Sequence, residues 1–156
     1  MKETGPQTRL RKKPAPPNDY EKRTRGSALR RKVLGGHFDK DYRDSELVAP
    51  MMDLASRVCW GEIWHRPGLT HKERCLINIG ILVTLRLPNE MKAFIRGGVR
   101  SGLSFKQIQE TLLQTAVYCG FPTAVNAFRY AREVFDEPEI RNLLTAQKKR
   151  RQPRKR

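Results

Sequence analysis

The middle of this 156-residue chain contains a set of side chains that could together bind an anion and transfer a proton. They comprise three arginines, a glutamate, a histidine and two tryptophans, namely Arg66, Arg74, Arg96, Glu90, His65, Trp60 and Trp64. A planar guanidinium holds a carboxylate through two hydrogen bonds, and a carboxyl group or an imidazole transfers protons in many enzymes. Indole rings add large apolar surfaces. These residue types therefore permit anion binding and proton transfer.

Each of these residues also has an ordinary structural explanation. Arginines on helices mostly form surface or interface ion pairs. Trp60 and Trp64 stand four residues apart, which places them on one helix face and is typical of a core pair. Glu90 falls in the first turn of a helix, where a carboxylate favours the positive end of the helix dipole. His65 fits an exposed helix end. The sequence leaves both explanations open for every residue of this group.

Metal sites and nucleotide-binding loops have little support. His65 and His71 are six residues apart and are separated by Pro67 and Gly68, with no cysteine or carboxylate at ligand spacing. The glycine-rich run RGGVRSG lies inside and at the end of a helix, without a preceding strand or a Lys-Ser/Thr ending. We therefore predict neither kind of site.

Helices joined by short turns must position the candidate residues. A basic helix is predicted from about residue 20 to 34, and it stops at Gly35 and Gly36 because glycine adopts the positive φ of a helix end. A second helix starts near Leu47 with Pro50 in its first turn, and apolar residues recur there every three or four positions. This spacing predicts one buried stripe, made of Leu47, Met51, Leu54, Ala55, Val58 and Cys59.

The third and fourth helices have clearer boundaries. Thr70 and Glu73 form a capping box, and the run CLINIGILVTL that follows is apolar on nearly every face. A helix of this kind belongs at the centre of a domain or in a subunit interface. The fourth helix opens at Pro88 and ends at Gly102.

Two more helices complete the predicted fold. Ser104 and Gln107 form a second capping box for a fifth helix, which Gly120 closes. Pro122 then occupies the first turn of a sixth helix. Six or seven helices with short turns and no alternating strand pattern predict an all-α bundle.

Charge divides the chain into three parts. The net charge is +16, yet residues 1–32 carry 11 Lys and Arg against 3 acidic residues, and residues 141–156 carry 8 against none. The middle of the chain is formally neutral. We expect a disordered basic tail over residues 1–18, one helical domain over residues 19–140, and a second basic tail over residues 141–156.

The basic tails indicate a second function, which is binding of an acidic partner. The run KKRRQPRKR is typical of a nuclear import signal or a nucleic-acid patch, and RLRKKP near the start is a weaker copy. The alternative is a solubilising end without a dedicated partner. Neither run contains an aromatic residue, so binding of nucleic acid by the tails is expected to be non-specific and strongly salt-dependent.

The cysteines and the hydropathy of the chain indicate its cellular compartment. Cys59, Cys75 and Cys119 are odd in number, far apart and flanked by apolar or aromatic residues, so we expect three buried thiols rather than a disulfide framework. No apolar run reaches the length of a membrane span. We expect a soluble intracellular protein, cytoplasmic or nuclear.

Three stretches together carry a resemblance to a known family. They are WGEIWHRPGL with KERCLINIGIL just after it, EMKAFIRGGVRSG, and IQETLLQTAVYCGFPTAVNAFRYARE. They resemble the carboxymuconolactone decarboxylase family, a branch of the alkylhydroperoxidase D-like superfamily, over roughly residues 29 to 134. The resemblance implies an all-α fold of the alkylhydroperoxidase D-like type, assembled as homo-trimers or homo-hexamers with sites near subunit interfaces.

The helix around Glu90 departs from both branches of that superfamily. The redox branch carries Cys-x-x-Cys followed by His, and the corresponding positions here are Leu87, Glu90 and Phe94, which excludes a dithiol mechanism at this helix. The decarboxylase branch usually reads Glu-Leu-x-x-His-x-Arg-Gly. Glu90 and Arg96 match that pattern, whereas Phe94 replaces the imidazole with a ring that exchanges no proton.

The resemblance implies decarboxylation of a small doubly anionic lactone without metal or organic cofactor, as in the degradation of aromatic compounds. Arg66, Arg74 and Arg96 match family arginines and would bind the retained carboxylates. Trp60 and Trp64 would form the apolar wall. The proton carrier would be Glu90 or His65.

Three functional hypotheses remain open from the sequence. The first is a decarboxylase that acts on a small anionic lactone or a related acid. The second is a non-catalytic oligomeric scaffold, left by the loss of the histidine at Phe94, whose basic tails bind nucleic acid, an import receptor or another acidic partner. The third is thiol redox chemistry at Cys119, which lies within a family motif.

Overall fold

The structure, a computed structural model, describes residues 15–36 and 46–151. Within these ranges there are seven α-helices and no strands. They are α1 (Asp19–Leu34), α2 (Ala49–Leu54), α3 (His71–Thr84), α4 (Pro88–Arg100), α5 (Phe105–Cys119), α6 (Phe121–Phe135) and α7 (Pro138–Arg151). Helix α2 continues into a π-helical segment, Ala55–Trp60, and a 3-10 turn, Ile63–His65, follows it. The predicted all-α bundle is confirmed.

Local capping explains where most helices begin. The side chains of Thr70 and Ser104 accept hydrogen bonds from the backbone three residues later, so both predicted capping boxes are present at α3 and α5. A third box, between Asn18 and Glu21, opens α1 and was not predicted. Helices α4 and α6 both have proline in the first turn, which needs no backbone N–H there.

Helix α4 lies at the centre of the bundle. It packs against α1, α3, α6 and α7, and Met91, Ile95 and Val99 on this helix are almost fully buried. Helix α3 packs on α4 and α5, but Ile77 and Ile81 on its other side are each 49% exposed. The apolar surface of α3 therefore extends beyond what the core of one chain uses.

The second predicted helix buries a different face from the one that its spacing indicated. Leu47, Met51, Leu54 and Val58 are 90%, 54%, 53% and 46% exposed, so the prediction of a buried stripe is wrong for the single chain. The wider π-helical turn shifts the register of side chains around the axis. Ser56, Trp60 and Gly61 are buried instead, and the π-helical segment packs against α1.

Two glycines allow that close packing. A Cβ atom at Gly26 of α1 would overlap the carbonyl oxygen of Ser56 and lie 2.6 Å from the backbone nitrogen of Gly61. A Cβ atom at Gly61 would overlap the carbonyl oxygen of Lys22. Backbone atoms cannot move aside as a flexible side chain can, so both positions require glycine.

We therefore expect Gly26→Ala to lower the free energy of unfolding by about 2 kcal/mol, because separating α1 from the π-helical segment outweighs the better helix propensity of alanine. Urea unfolding followed by circular dichroism measures this change. Gly68→Ala is the matched control, because a Cβ atom there meets nothing within 4 Å. Equal stability of the two variants would contradict the close approach of α1.

Helix α7 extends the folded body past the predicted boundary at residue 140. Residues 141–151 are helical and form most of α7, within the stretch that the sequence assigned to the basic C-terminal tail. Leu143 and Leu144 pack against the core, and the side-chain nitrogen of Gln147 donates a hydrogen bond to the carbonyl oxygen of Val99 at 2.9 Å. Pro153 and the rest of the C-terminal run lie outside the described residues, as do residues 1–14 and His37. No helix in the described ranges has the length and hydropathy needed to cross a bilayer.

Candidate functional site

The two tryptophans form an aromatic cluster with Phe94. Trp60 ends the π-helical segment and Trp64 lies in the 3-10 turn, and their stacked rings have centroids 4.2 Å apart. The ring of Phe94, from α4, lies 6.3 Å from Trp60 and 6.1 Å from Trp64. Both tryptophans are about 95% buried, at 5% and 4% exposure. The core-pair explanation fits them, and Phe94 occupies the third place in the cluster.

His71, rather than the predicted proton carrier His65, has its ring against the aromatic cluster. His71, the first residue of α3, has its ring centroid 5.9 Å from that of Trp64. His65 is exposed, and its Nδ1 atom donates a hydrogen bond to the carbonyl oxygen of Trp60 at 2.8 Å. His65 is therefore directed at the backbone of its own turn. A sequence signal for His71 was absent, because its contact depends on how α3 meets the 3-10 turn.

Arg66 and Arg74 lie beside the cluster in different environments. The Nη2 atom of Arg74 donates a hydrogen bond to the carbonyl oxygen of Arg66 at 3.0 Å, while its buried Nε atom has no hydrogen-bond partner among the described residues. The side chain of Arg66 is exposed and makes no ion pair within residues 15–36 and 46–151. Neither guanidinium is neutralised by a carboxylate in the described chain.

Arg96 and Glu90 are not brought together, although the sequence placed both at one site. The guanidinium of Arg96 donates to both carboxylate oxygens of Glu137, the residue immediately before α7, at 2.7 to 3.0 Å. Six residues of helix separate Arg96 from Glu90 by about 120° around the axis. Arg96 therefore fastens α4 to the start of α7, and a substrate carboxylate would have to displace Glu137 to reach it.

Glu90 keeps a free carboxylate in the first turn of α4. The residue is half-buried, and no hydrogen bond or ion pair to its side chain is formed by the residues that the structure describes. Phe94 follows one turn later on the same helix face. On the adjoining face, Leu87, Pro88 and Met91 of the same turn line a cavity.

This cavity lies between α3, α4 and α6 and has a volume of about 370 Å³. We call it the α4 cavity, and its lining is Leu82, Val83, Arg86, Leu87, Pro88, Met91, Pro122, Thr123, Asn126, Ala127 and Tyr130. Most of its wall is apolar. Arg86, Thr123, Asn126 and Tyr130 supply the polar groups, which is the combination typical of small-molecule sites.

Arg86 is the cation of the α4 cavity. It has φ +56°, and it is the one non-glycine residue with positive φ among those described. Such a conformation costs free energy and is found preferentially at functional sites. The side chain of Arg86 is exposed and makes no ion pair in the described part of the chain, so its charge is available to an anion in the cavity.

Tyr130 contributes a hydroxyl group from α6. The Nζ atom of Lys92 lies 5.8 Å from the centre of the Tyr130 ring and 3.1 Å from a carboxylate oxygen of Glu133. These contacts hold the ring between α4 and α6. Sequence reasoning missed both Arg86 and Tyr130, since 44 positions separate them and only the approach of α3 to α6 places them at one cavity.

The three cysteines are free thiols in unlike surroundings. Cys75 is fully buried, as predicted, and burial raises its pKa to about 12. Cys59 is exposed on the π-helical segment, so its predicted burial is wrong. Partial desolvation raises the pKa of Cys59, while Trp64 and Arg74 act in the opposite direction. Cys119 is half-buried, with its sulfur 3.0 Å from the Thr84 hydroxyl oxygen.

We expect Cys75 to be unreactive in the folded chain, because at pH 8 only about one molecule in ten thousand would carry its thiolate. Its raised pKa stabilises the fold below about pH 9, and this contribution declines as the pH rises toward 12. Iodoacetamide labelling read by peptide mass spectrometry should modify Cys75 only in urea. Modification of Cys75 in the native chain at the rate of a free thiol would contradict its burial.

Comparison with known proteins assigns the chain to a class of helical decarboxylases. The model of the carboxymuconolactone decarboxylase family matches residues 49–133, which include the aromatic cluster, α4 and most of α6. The chain belongs to this family, and the resemblance noted from the sequence is confirmed.

Individual relatives cover most of the chain. A 4-carboxymuconolactone decarboxylase of Acinetobacter baylyi is 30% identical over 122 residues, covering 77% of this chain and 91% of the relative. A nitrosuccinic acid decarboxylase of Metarhizium robertsii is 28% identical over 114 residues, covering 72% of this chain and 80% of the relative. An uncharacterized 15.0 kDa protein of Paracoccus denitrificans is 28% identical over 107 residues. These similarities support a decarboxylase-like function.

Proposed function

We propose that this chain is a cofactor-free decarboxylase of a small organic acid and that the α4 cavity holds the substrate. One observation carries the proposal. The guanidinium of Arg86, which makes no ion pair among the described residues, lines a largely apolar cavity. Glu90 is not itself a lining residue, but its carboxylate, also without a partner in the described ranges, belongs to the helical turn that supplies Leu87, Pro88 and Met91 to the cavity wall. Decarboxylation needs a cation for a retained anion, an apolar space for the departing carboxylate and a proton carrier.

The relatives narrow the class of substrate. Their names specify a lactone that bears a carboxyl group and a nitro-substituted diacid. In both, an electron-withdrawing group can accept the electron pair that a departing carboxylate leaves behind. We infer a substrate of the same class for this chain, with one carboxylate that leaves and a second anionic group that Arg86 holds.

The reaction follows from the lining of the α4 cavity. The carbon–carbon bond to one carboxylate breaks, its electron pair stays on the substrate carbon, and carbon dioxide departs. The side chains of Leu82, Val83 and Met91 exclude water from the departing carboxylate and so favour its neutral product. Glu90 in its protonated form delivers that proton to the carbanion and then regains a proton from solvent, and the hydroxyl group of Tyr130 donates a hydrogen bond to the charge that develops.

Phe94 does not prevent this reaction. Its ring packs against Trp60 and Trp64, so the position of the family histidine is part of an apolar cluster in this chain. The proposal assigns proton transfer to Glu90, one turn earlier in α4. His71 has its ring centroid 5.9 Å from that of Trp64, and it is the natural substitute if Glu90 proves dispensable.

Turnover of model acids tests the proposal. The full chain is incubated with 4-carboxymuconolactone and, separately, with nitrosuccinate, while ultraviolet absorbance and released carbon dioxide are followed. We expect catalysed release from at least one acid. No release by the natural chain together with release by Phe94→His would favour the non-catalytic scaffold and overturn the proposal.

We further propose that copies of the chain assemble through an apolar face of α3, α5 and α6, as expected from the family resemblance. These helices and the residue after α3 carry eight exposed apolar or aromatic residues: Ile77, Ile81, Leu85, Leu113, Val117, Tyr118, Phe121 and Val125. Burying large exposed apolar residues between copies is a common reason for subunit assembly. Light scattering should give the mass of a trimer or hexamer, and Val117→Asp should shift it toward 18.1 kDa. A monomeric natural chain would contradict this arrangement.

A further inference from the structure

A groove between the start of α5 and α7 combines an exposed aromatic ring with a basic rim. Its volume is about 650 Å³, and we call it the α5–α7 groove. The lining residues are Ser104, Phe105, Lys106, Phe135, Arg141, Leu144, Thr145, Gln147 and Lys148. It is separate from the α4 cavity, with which it shares no lining residue.

Phe105 forms the floor of the groove. It is 49% exposed although it is the first residue of α5, and its ring centroid is 4.9 Å from that of Phe135. Phe135 contacts the ring of Phe105 at a tilt of 49°, and about half of the Phe105 surface stays open to solvent. An aromatic ring held in this way offers a face on which a planar group can stack.

Cations surround that ring on two helices. The side chains of Lys106 and Arg141 are 75% and 64% exposed and form ion pairs with Glu110 and Asp136, which are themselves exposed. Lys148 is exposed without an ion pair in the described ranges. Arg141 and Lys148 are two turns apart on one face of α7 and span about 10 Å along the groove.

The helix on one side of the groove belongs to a strongly basic part of the sequence. Residues 141–156 contain 8 Lys and Arg and no acidic residue, and those up to 151 form α7. Because α7 is fixed by Ile140, Leu143 and Leu144 in or against the core, its cations are presented at defined positions relative to Phe105. The fold thus supplies the aromatic platform that the basic run itself lacks.

We propose that the α5–α7 groove binds single-stranded nucleic acid, with a base stacked on Phe105 and backbone phosphates on Lys106, Arg141 and Lys148. A basic groove with an exposed aromatic platform is the combination used for sequence-independent binding of single strands. A duplex keeps its bases stacked internally and cannot use Phe105. The groove therefore selects single strands over duplexes and has little preference among sequences.

Fluorescence anisotropy with a labelled 12-nucleotide oligothymidylate tests this proposal on the full chain. We expect Phe105→Ala to weaken binding about tenfold and Phe105→Tyr to retain it, because one base–aromatic stack is lost in the first variant only. Lys148→Gln should reduce the steepness of the salt dependence by about 0.7, the contribution of one phosphate contact on a single strand. Lys32→Gln, an exposed cation on α1, is the matched control with a smaller effect.

Three results would overturn the proposal. The first is a failure of the chain to bind the oligonucleotide at 50 mM salt. Binding to anionic lipid vesicles without binding to the oligonucleotide counts as the same result. Another is equal affinity for a duplex of the same length. The third is an unchanged affinity for Phe105→Ala when circular dichroism shows the variant to be folded, since binding would then belong to the basic run alone. The same variants are also assayed for release of carbon dioxide. Because the α5–α7 groove shares no lining residue with the α4 cavity, we expect their decarboxylation rates to equal that of the natural chain.

Discussion

Glu90→Gln is expected to lower kcat for decarboxylation about 100-fold or more while changing KM little. A positioned general acid or base contributes about 10²- to 10⁴-fold, and the amide of glutamine delivers no proton. The substitution keeps the size of the side chain. Its carboxylate makes no hydrogen bond or ion pair among the described residues, so the melting temperature should stay unchanged.

The measurement is steady-state release of carbon dioxide from the acid that gives the higher natural rate. Glu46→Gln is the matched control, because Glu46 is an exposed glutamate ahead of α2 that lies in neither the aromatic cluster nor the α4 cavity. An unchanged kcat in Glu90→Gln would remove this residue from the reaction. His71→Asn would then become the informative variant, since His71 contacts Trp64 in the aromatic cluster.

Arg86→Gly is expected to raise KM about 30-fold with no loss of stability. A hydrogen-bonded pair between a guanidinium and a substrate carboxylate contributes about 2 kcal/mol, which corresponds to that factor. Glycine also adopts φ +56° without strain, so this variant removes the cation and relaxes the backbone together. A raised KM with an equal or higher melting temperature therefore separates a binding role from a structural one.

Arg66→Gln is the decisive comparison for Arg86→Gly. Arg66 is also an exposed arginine without an ion pair in the described chain, but it lies next to the aromatic cluster. If Arg66→Gln raises KM and Arg86→Gly does not, the substrate binds beside Trp64 and the α4 cavity is not the active site. Arg96→Gln is a poor probe of binding, because it also removes the ion pair with Glu137.

Arg96, the arginine predicted as a substrate ligand on α4, is held by an ion pair in the single chain. Arg96 matches the family pattern in sequence, yet in this fold both oxygens of Glu137 accept its hydrogen bonds. Arg100, one turn later, is held in the same way by Glu139 and by the carbonyl oxygen of Leu34 at 2.8 Å. These cations join α4 to α7 and α1, and their partners lie far away in sequence.

The sequence by itself determined the helices and the family. Capping boxes at Thr70 and Ser104, prolines in the first turns of α4 and α6, and the glycine after α5 are local signals, because each concerns groups within four residues of one another. Family membership likewise rests on short motifs that can be read without coordinates. The identity of Glu90 as a candidate came from such a motif.

The tertiary structure was needed to show which side chains contact one another or line the same cavity. The α4 cavity joins Arg86 to Tyr130, the aromatic cluster joins Trp64 to Phe94 and His71, and the α5–α7 groove places Phe105 beside a basic helix. The packing of the helices also leaves the apolar stripe around α2 exposed to solvent, although the spacing of its residues predicted burial. The physical reason is that helix packing is set by many weak contacts between residues distant in sequence, so no local pattern specifies it.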